Sequence, residues 1–254
     1  MSPRTVLGIG LLTAVFGVAG AAEAQVSRVF VSVNGNDANN CASQATPCRT
    51  ISGGITQVDA DGEVIIVDTG SYAGGAITKA VKVNTAPGVV AFSGLSFTIN
   101  PGAGKTVVLR GITIKAVTPG SGFGIHHTSG NLVVENCVID GWFNGINSNA
   151  GSGGRLSVDH STFRNNFNGS GPNDGKGIAL LAGTGSVSNV HISNTDGIGI
   201  RAFGGTLTLS NSVVVQNGTG LRQESSGVLV SMLNNVVEGN TTNTFGTITP
   251  GTLK

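Results

Sequence analysis

Charged side chains are scarce: Asp, Glu, Lys and Arg make up 11% of the 254 residues, where about a quarter is typical of globular proteins. This scarcity excludes a charged coiled coil and an acidic or basic tail. The formal net charge is only +1. No broad positive field exists to neutralise phosphates, so we expect no nucleic-acid partner. Intrinsic disorder is also disfavoured, because 39% of the residues are hydrophobic.

Long hydrophobic runs are missing from all but the start of the chain. The extended apolar stretch there, residues 6–18, follows the basic Arg4 and precedes the small-residue site Ala22, Glu23, Ala24. This order is typical of a secretory signal peptide over residues 1–24. The stretch also falls short of the ~20 residues that cross a bilayer as a helix. We therefore expect a secreted or periplasmic protein with no membrane insertion after signal cleavage.

Only three cysteines are present. Cys41 and Cys48 lie seven residues apart in a polar, turn-rich segment, and in an oxidising compartment this pair can close a small loop by a disulfide. The alternatives are two free surface thiols, which secretion disfavours, and a metal site, which the absence of any other nearby Cys or His disfavours. Cys137 lies in an apolar stretch and is predicted to be a small buried residue.

Glycine, by contrast, is abundant, with 41 residues. From Lys105 onward the chain forms a degenerate repeat in which glycine recurs at the turns. Each repeat of roughly 20 to 30 residues has two short alternating strands and a third that begins with Gly followed by Ile or Leu. This pattern predicts a solenoid of parallel strands, a β-helix of about eight or nine coils. Period-two alternation predicts an internal column formed by Ile112, Ile114, Val134, Cys137, Ile139, Phe163, Ile192, Val214 and Val237.

The turns of the repeat carry aligned asparagines. The first column contains Asn136, Asn189, Asn211 and Asn234, with Gly111 and His160 at the same position in other repeats. At the ~4.8 Å spacing of stacked strands, such amides can hydrogen-bond along the column. A shorter column of Asn166, Asn217 and Asn240 is predicted at the next corner. We interpret both columns as structural rather than ligand-binding.

The N-terminal part adds a resemblance to a known group. Residues 28–37 read Arg-Val-Phe-Val-Ser-Val-Asn-Gly-Asn-Asp, residues 47–51 read Pro-Cys-Arg-Thr-Ile, and residues 63–72 read Glu-Val-Ile-Ile-Val-Asp-Thr-Gly-Ser-Tyr. With the repeat, these segments resemble small secreted bacterial proteins of the right-handed parallel β-helix group that includes the pectate-lyase-like superfamily. The resemblance implies an all-β chain with a single right-handed parallel β-helix over residues 63–254. It also implies that residues 25–62 cap the open end. Within this cap, the spacing of Ile51, Ile55 and Val58 predicts a short helix.

The catalytic motifs of related β-helix enzymes are incomplete. Residues 194–197, Asn-Thr-Asp-Gly, match a motif of polygalacturonase-type glycosidases, but the Asp-Asp, Gly-His-Gly and Arg-x-Lys motifs of those enzymes are missing. Residues 158–160, Val-Asp-His, match part of a pectate lyase motif without its Trp. The Arg-x-Pro-x-x-Arg segment of pectate lyases and the Asp-Pro-His signature of mannuronan epimerases are missing as well. The resemblance therefore implies the fold without a complete catalytic motif.

One lyase-like arrangement remains as a candidate. The repeat alignment places Arg110, Glu135 and Asp159 outward on successive coils, about 4.8 Å apart. Uronate lyases need a base for the proton beside a carboxylate, and acidic residues, often through Ca²⁺, to neutralise the substrate acid. We expect Ca²⁺ only in that case, and otherwise no cofactor and no metal. The alternative, which we favour, is an exposed ladder of ion pairs, because two neighbouring carboxylates keep Arg110 protonated.

A second outward row is predicted on the third strands. Its candidate substrate-binding residues are His126, Asn147, Arg201, Arg222 and Glu224. The planar forks of the two arginines suit acidic sugars or phosphate, so they favour an acidic polymer. Aromatic side chains that could stack on sugar rings are few, and the nearby ones are Trp142, Phe143 and Phe203. The alternative interpretation is a solvated face without a ligand.

These patterns lead to a hypothesis about function. We expect a non-catalytic protein whose outer sheet surface binds an extended polysaccharide or other glycan. Two alternatives stay open: a polysaccharide lyase or epimerase acting on uronate polymers, and a structural or adhesive surface module. Residues 165–176 form a loop long enough to wall one sheet, as an enzyme cleft requires, whereas the other repeats leave little loop.

Overall fold

The structure is a computed structural model that describes residues 26–169 and 174–252. The predicted signal peptide, residues 1–24, and the middle of the predicted long loop, residues 170–173, lie outside the described residues. Within those ranges the chain forms 26 β-strands and one α-helix of seven residues. No helix in the described part of the chain is long and apolar enough to cross a membrane.

The chain winds through eight successive coils, each of which contributes three strands. Before the first coil lie β1 (Val26–Val31) and α1 (Ile51–Gln57). Coils one to four contain β2 (Val58–Ile66), β3 (Gly70–Ser71), β4 (Gly75–Ile77), β5 (Val81–Thr85), β6 (Ala91–Ser93), β7 (Phe97–Ile99), β8 (Thr106–Arg110), β9 (Ile112–Lys115), β10 (Phe123–His127), β11 (Asn131–Glu135), β12 (Val138–Asp140) and β13 (Asn144–Asn149). Coils five to eight contain β14 (Arg155–Asp159), β15 (Thr162–Arg164), β16 (Lys176–Ala182), β17 (Thr184–Ser188), β18 (His191–Ser193), β19 (Ile198–Ala202), β20 (Thr206–Ser210), β21 (Val213–Val215), β22 (Thr219–Gln223), β23 (Val228–Met232), β24 (Val236–Glu238) and β25 (Thr242–Phe245), and β26 (Thr249–Gly251) follows them.

Equivalent strands of successive coils stack into three sheets. Sheet A has ten strands: the first strand of every coil, with β1 at one edge and β26 at the other. Sheet B and sheet C have eight strands each, formed by the second and the third strands of the coils. Pairing between coils is parallel; in sheet A, for example, Leu132 pairs with Val107 on one side and with Leu156 on the other. The predicted parallel β-helix is therefore confirmed.

The core is one apolar column inside the stacked coils. Eight of the nine residues predicted for it are no more than 1% exposed, and the ninth, Val237, is partly buried against the column. Burying a side chain such as Phe163 contributes roughly 1.5 to 3 kcal/mol. No single coil could bury its inward side chains alone, so the stability of the fold depends on stacking.

A glycine is the second residue of the third strand in coils three to seven, where the backbone of the next strand of sheet C and the core side chains of sheet B leave no room for a Cβ. A Cβ on Gly145 would lie 2.6 Å from the carbonyl oxygen of Gly177 and 2.9 Å from Cδ1 of Phe163. Neither neighbour can move freely, since one is backbone and the other is packed in the core. The Gly-Ile and Gly-Leu pairs of the sequence repeat therefore reflect a steric limit.

The corner between sheets A and B is a residue in the left-handed region of φ in five successive coils. The φ angles are 78° at Gly111, 52° at Asn136, 46° at His160, 53° at Asn189 and 46° at Asn211. Glycine adopts this conformation at no cost and asparagine at a small one. The same geometric requirement in each coil thus explains the first asparagine column.

Side-chain hydrogen bonds run along this column, as predicted for an asparagine ladder. Nδ2 of Asn211 donates to Oδ1 of Asn189, and Nδ2 of Asn189 donates to Oδ1 of Asp159 at 2.7 Å. Asn234 differs, because three residues instead of two separate the strands of its coil at this corner, and its φ is not left-handed. Its Oδ1 accepts the backbone N–H of Asn211 at 3.0 Å.

The second asparagine column lies at the corner between sheets B and C. Oδ1 of Asn240 accepts Nδ2 of Asn217 at 3.0 Å, and Oδ1 of Asn217 accepts the backbone N–H of Thr195 at 3.0 Å. Oδ1 of Asn166 similarly accepts the backbone N–H of Trp142 at 3.1 Å. These amides satisfy backbone donors that turn away from the sheets, which is the structural role predicted for them.

Residues 26–57 pack on the first coil. Helix α1 contacts β1, β2 and β4. It is capped by Thr50, whose Oγ1 accepts the backbone N–H of Gly53 at 2.9 Å. The predicted disulfide between Cys41 and Cys48 is formed. Its loop is bonded to β1 through Phe30, which donates its N–H to Cys41 O and accepts the N–H of Cys48.

Cys137 is buried and free. Its Sγ lies 3.3 Å from the carbonyl oxygen of Glu135. Burial raises the pKa of this thiol to about 11, so the thiolate form is negligible near neutral pH. Cys137 therefore acts as a small core residue, as the sequence predicts.

Candidate functional site

The third-strand row predicted from the repeat lies on the outer surface of sheet C. Strand pairing aligns His126 with Asn147, and Arg201 with Arg222. Between the two pairs stands Ala179, which pairs with both Asn147 and Arg201 and was not among the predicted residues. Because Ala179 is buried, the row presents two separate pairs of outward polar side chains, on coils three and four and on coils six and seven.

Glu224 joins the two arginines of this row. One residue beyond the end of β22, it places Oε2 2.6 Å from Nε of Arg201 and Oε1 2.5 Å from a terminal nitrogen of Arg222. The side chains are 19% exposed at Glu224, 22% at Arg201 and 34% at Arg222. Burial by itself would raise the pKa of Glu224, but hydrogen bonds from both arginines and their charges lower the pKa. Glu224 is therefore a carboxylate near neutral pH.

Each arginine of the row also covers an aromatic ring. The guanidinium carbon of Arg201 lies 4.5 Å from the ring centroid of Phe203, and that of Arg222 lies 4.7 Å from the ring centroid of Phe245. Such cation–π contacts are worth roughly 0.5 to 1 kcal/mol at exposed sites. They help to hold each guanidinium group beside its ring.

A groove of about 630 Å³ runs beside Arg222 along the corner between sheets B and C. Hydroxyl and amide side chains dominate its lining, which includes Gln216, Thr219, Thr241 and Thr242, together with Asp196. Sequence analysis missed this groove, because its threonines belong to different coils and form no local motif. The groove and the row meet at Arg222 and form one polar surface.

Asp196, within the glycosidase-like run of residues 194–197, has a structural role. Its Oδ2 accepts the backbone N–H of Asn168 at 3.0 Å, and its Oδ1 accepts the backbone N–H of Gly175 at 2.9 Å. These donors flank residues 170–173, so the carboxylate holds together the two described ends of the long loop. Glycoside hydrolysis needs two carboxyl groups on either side of the bond that is cleaved. Both oxygens of Asp196 instead accept backbone hydrogen bonds from the loop, which is a structural role.

The three aromatic side chains predicted near the row differ in their exposure to solvent. The expectation for Trp142 is wrong, because its side chain is buried and its Nε1 donates to the carbonyl oxygen of Ile114 at 3.1 Å. The ring of Phe143 lies 4.8 Å from Nζ of Lys176. Lys176, which sequence analysis also missed, is buried and paired with Asp174 at 2.7 Å. Of the three predicted aromatics, only Phe203 is exposed, and Arg201 covers it.

The lyase-like candidates lie on a different surface, the outer face of sheet A. Arg110 pairs with Glu135 and Glu135 pairs with Asp159 in consecutive strands. Nε of Arg110 donates to Oε2 of Glu135 at 2.7 Å, and a terminal nitrogen donates to Oδ1 of Asn84 at 3.1 Å. Asn84 in turn donates to Glu63 at 2.6 Å. The guanidinium is therefore part of a continuous polar ladder.

Asp159 belongs to a second cluster at the end of this ladder. Its Oδ1 accepts Nδ2 of Asn189 and Oγ of Ser188 at 2.7 and 2.8 Å, and its Oδ2 lies 2.6 Å from Nδ1 of His160. The bond from Asn189, followed by those from Ser188 and His160, outweighs burial and lowers the pKa of Asp159 to about 2. Asp159 is thus a carboxylate under all physiological conditions. Its hydrogen-bond acceptors are occupied by neighbours on its own sheet and corner.

The two adjacent histidines of β10 have separate roles. His126 faces outward with its ring centroid 4.8 Å from that of Phe123. His127 is fully buried; its Nε2 donates toward the carbonyl oxygens of Ser129 and Gly130, and its Nδ1 accepts the hydroxyl of Ser148 at 3.0 Å. Within residues 26–169 and 174–252, no three His, Cys, Asp or Glu side chains come close enough to hold a metal ion.

Comparison with known proteins identifies a fold. No family model and no curated protein sequence matches the chain. Among solved structures, the chain is similar to the crystal structure of pectate lyase Pel9A, with a TM-score of 0.71 and 17% sequence identity. The alignment covers 88% of this chain and 67% of the lyase chain. The protein therefore has the parallel β-helix fold of pectate-lyase-like proteins.

Proposed function

We propose that the outer surface of sheet C, with the adjoining groove, binds an extended polysaccharide. The observation that carries this proposal is the alignment of outward polar side chains along sheet C, which meets a groove lined by hydroxyl groups at Arg222. His126 and Asn147 form one pair and Arg201 and Arg222 the other, on either side of the buried Ala179. A repeating polymer presents equivalent groups at regular intervals, so it can contact several coils at once. The structural similarity to a pectate lyase supports a polysaccharide ligand by analogy of fold.

We also propose that the protein binds its ligand outside the cytoplasm. The disulfide between Cys41 and Cys48 is a feature of proteins from oxidising compartments, and the predicted signal peptide supports the same location. We infer a secreted or periplasmic protein that acts without a cofactor. Its partner is a glycan rather than a nucleic acid.

A uronate lyase or epimerase is the second candidate, carried by the consecutive placement of Arg110, Glu135 and Asp159. In that case Arg110 would remove the proton and the acids would act through Ca²⁺. The ion pair of Arg110 with Glu135 and the occupied oxygens of Asp159 weigh against it, since a base must first lose its proton. A structural or adhesive module remains a third candidate, distinguished by the absence of any glycan ligand.

Affinity gel electrophoresis tests the proposal. We expect the mature protein to be retarded by at least one polymer in a panel of neutral and acidic polysaccharides. Substitution Arg222→Ala should reduce the retardation, because it removes the side chain shared by the row and the groove. The matched control is Arg28→Ala, which removes an exposed, ion-paired arginine from sheet A and should leave retardation unchanged. No retardation by any polymer would contradict the proposal, and release of unsaturated uronate would favour the lyase instead.

A further inference from the structure

The charges around the sheet C surface balance. Two guanidinium groups, Arg201 and Arg222, stand beside two carboxylates, Glu224 and Asp196. The arginines therefore create no net positive field at the point where the row and the groove meet. A polymer with a carboxylate on every sugar gains little long-range attraction from such a surface.

Glu224 also takes one donor nitrogen of each arginine that an acidic sugar could use. One of its oxygens is bonded to each arginine, at 2.6 and 2.5 Å. An incoming carboxylate that used these two nitrogens would have to displace Glu224, and one that used the remaining donors would lie close to its negative charge. Glu224 is four-fifths buried, so displacement would leave a poorly solvated carboxylate without its partners.

The phenylalanines restrain the arginines further. Because Arg201 lies over Phe203 and Arg222 over Phe245, neither guanidinium can turn outward without losing its ring contact. Nε of Arg222 is buried and has no hydrogen-bond partner among the described residues. Each guanidinium group is thus held between Glu224 and a phenylalanine ring, although both arginine side chains keep part of their surface in solvent.

We propose that Glu224 makes this surface selective for uncharged polysaccharides over polyanionic ones. The groups that remain for a ligand are the hydroxyls of Thr219 and Thr242, the amide of Asn147 and the outer lone pairs of Glu224. All of these pair with sugar hydroxyl groups, which both donate and accept. Glu224 is a specificity-determining residue in this scheme. The inference rests on the proposed function, and it reverses the preference for an acidic polymer that the two arginines suggest in sequence.

The test compares pairs of polymers that share a backbone and differ chiefly in charge. Polygalacturonate is set against its fully methyl-esterified form, and carboxymethyl cellulose against hydroxyethyl cellulose, with retention measured for the wild type, Glu224→Gln and Glu63→Gln. Glu63 is the matched control, because it is also paired with an arginine and lies on sheet A. Both substitutions change the net charge equally. Circular dichroism checks that each variant is folded.

We expect the wild type to retain the uncharged member of a pair more strongly. Glu224→Gln should increase retention of the acidic member by about five- to tenfold at low ionic strength, and about 0.5 M salt should abolish the gain. Glu63→Gln should produce no such gain. Stronger retention of the acidic member by the wild type, or equal gains in both variants, would overturn the inference while leaving polysaccharide binding intact. No retention of any polymer would overturn the proposed function and this inference together.

Discussion

Arg110 donates its Nε–H to Oε2 of Glu135 at 2.7 Å, across two neighbouring coils of sheet A. The same guanidinium is bonded to Asn84 on the coil before. This ladder ties together three coils of the solenoid at its outer surface. It also engages the one arginine that sequence analysis offers as a lyase base.

We predict that Arg110→Ala leaves glycan retention unchanged and lowers the free energy of unfolding by no more than about 1 kcal/mol. The ion pair is 45% exposed at Arg110 and 31% at Glu135, and pairs of this kind contribute little in water. Affinity electrophoresis and urea denaturation measure the two effects. Loss of a measurable uronate lyase activity in this variant would instead identify Arg110 as a catalytic base.

Gly145→Ala should destabilise the protein by roughly 1 to 3 kcal/mol, because the added methyl group meets the backbone of Gly177 and the ring of Phe163. The matched control is Gly153→Ala, since a Cβ at that corner has nothing within 4 Å. Thermal denaturation of the two variants checks the prediction. Equal melting temperatures would mean that the glycines of sheet C are not sterically required.

Stability should depend on the protonation of His127. Burial, as the largest cause, lowers the pKa of His127 below its ordinary value of 6.5. The unfolded chain therefore takes up a proton at a pH where the folded chain does not. Where His127 is neutral in both the folded and the unfolded chain, its protonation should not affect the free energy of unfolding. As the pH falls below 6.5, the free energy of unfolding should decrease by at most about 1.4 kcal/mol per pH unit for this proton.

Urea denaturation at several pH values measures the dependence on His127. In His127→Gln the decrease between pH 6.5 and the onset of carboxylate titration should be much smaller. The exposed His191 provides the control, and His191→Gln should keep the wild-type slope. A wild-type slope retained in His127→Gln would assign the proton to another group.

Reduction of the disulfide should lower the free energy of unfolding by about 2 to 3 kcal/mol. Cys41 and Cys48 close a short loop with a sequence separation of seven residues, and the estimate follows from the entropy that the crosslink removes from the unfolded chain. Denaturation with and without dithiothreitol measures the loss. The double variant Cys41→Ser, Cys48→Ser should show the lower stability and no response to the reductant. A response in that variant would implicate Cys137.

Much of the fold can be predicted from sequence because each repeat carries the same pattern of apolar positions and corner residues. Position-by-position alternation places Ile114, Ile139 and Phe163 inside. Corner residues such as Asn189 and Asn211 mark where φ must be positive. The irregular coils before residue 105 are harder to divide into strands, since their turns vary in length. The repeat alignment also fails at Asn234, where one extra residue changes the corner without changing the apparent motif.

The candidate site could be predicted only in part. The repeat alignment places His126, Asn147, Arg201 and Arg222 on one face, because stacking converts equivalent positions of the repeat into neighbours. It says nothing of which groups pair across coils, and it wrongly offers Trp142 as a surface aromatic. An indole beside a glycine-rich turn has the same local pattern whether it faces water or the core.

The sequence by itself determined the parallel coils, the internal column, the two asparagine columns and the disulfide, because each follows from local spacing and conformational preference. Only the tertiary structure decided how the charges of the surface are used. It brings Glu224 between Arg201 and Arg222, and it commits Asp196 to the backbone of the long loop. The physical reason is that side-chain partners, and the solvent that they exclude, depend on distances between coils that no spacing along the chain specifies.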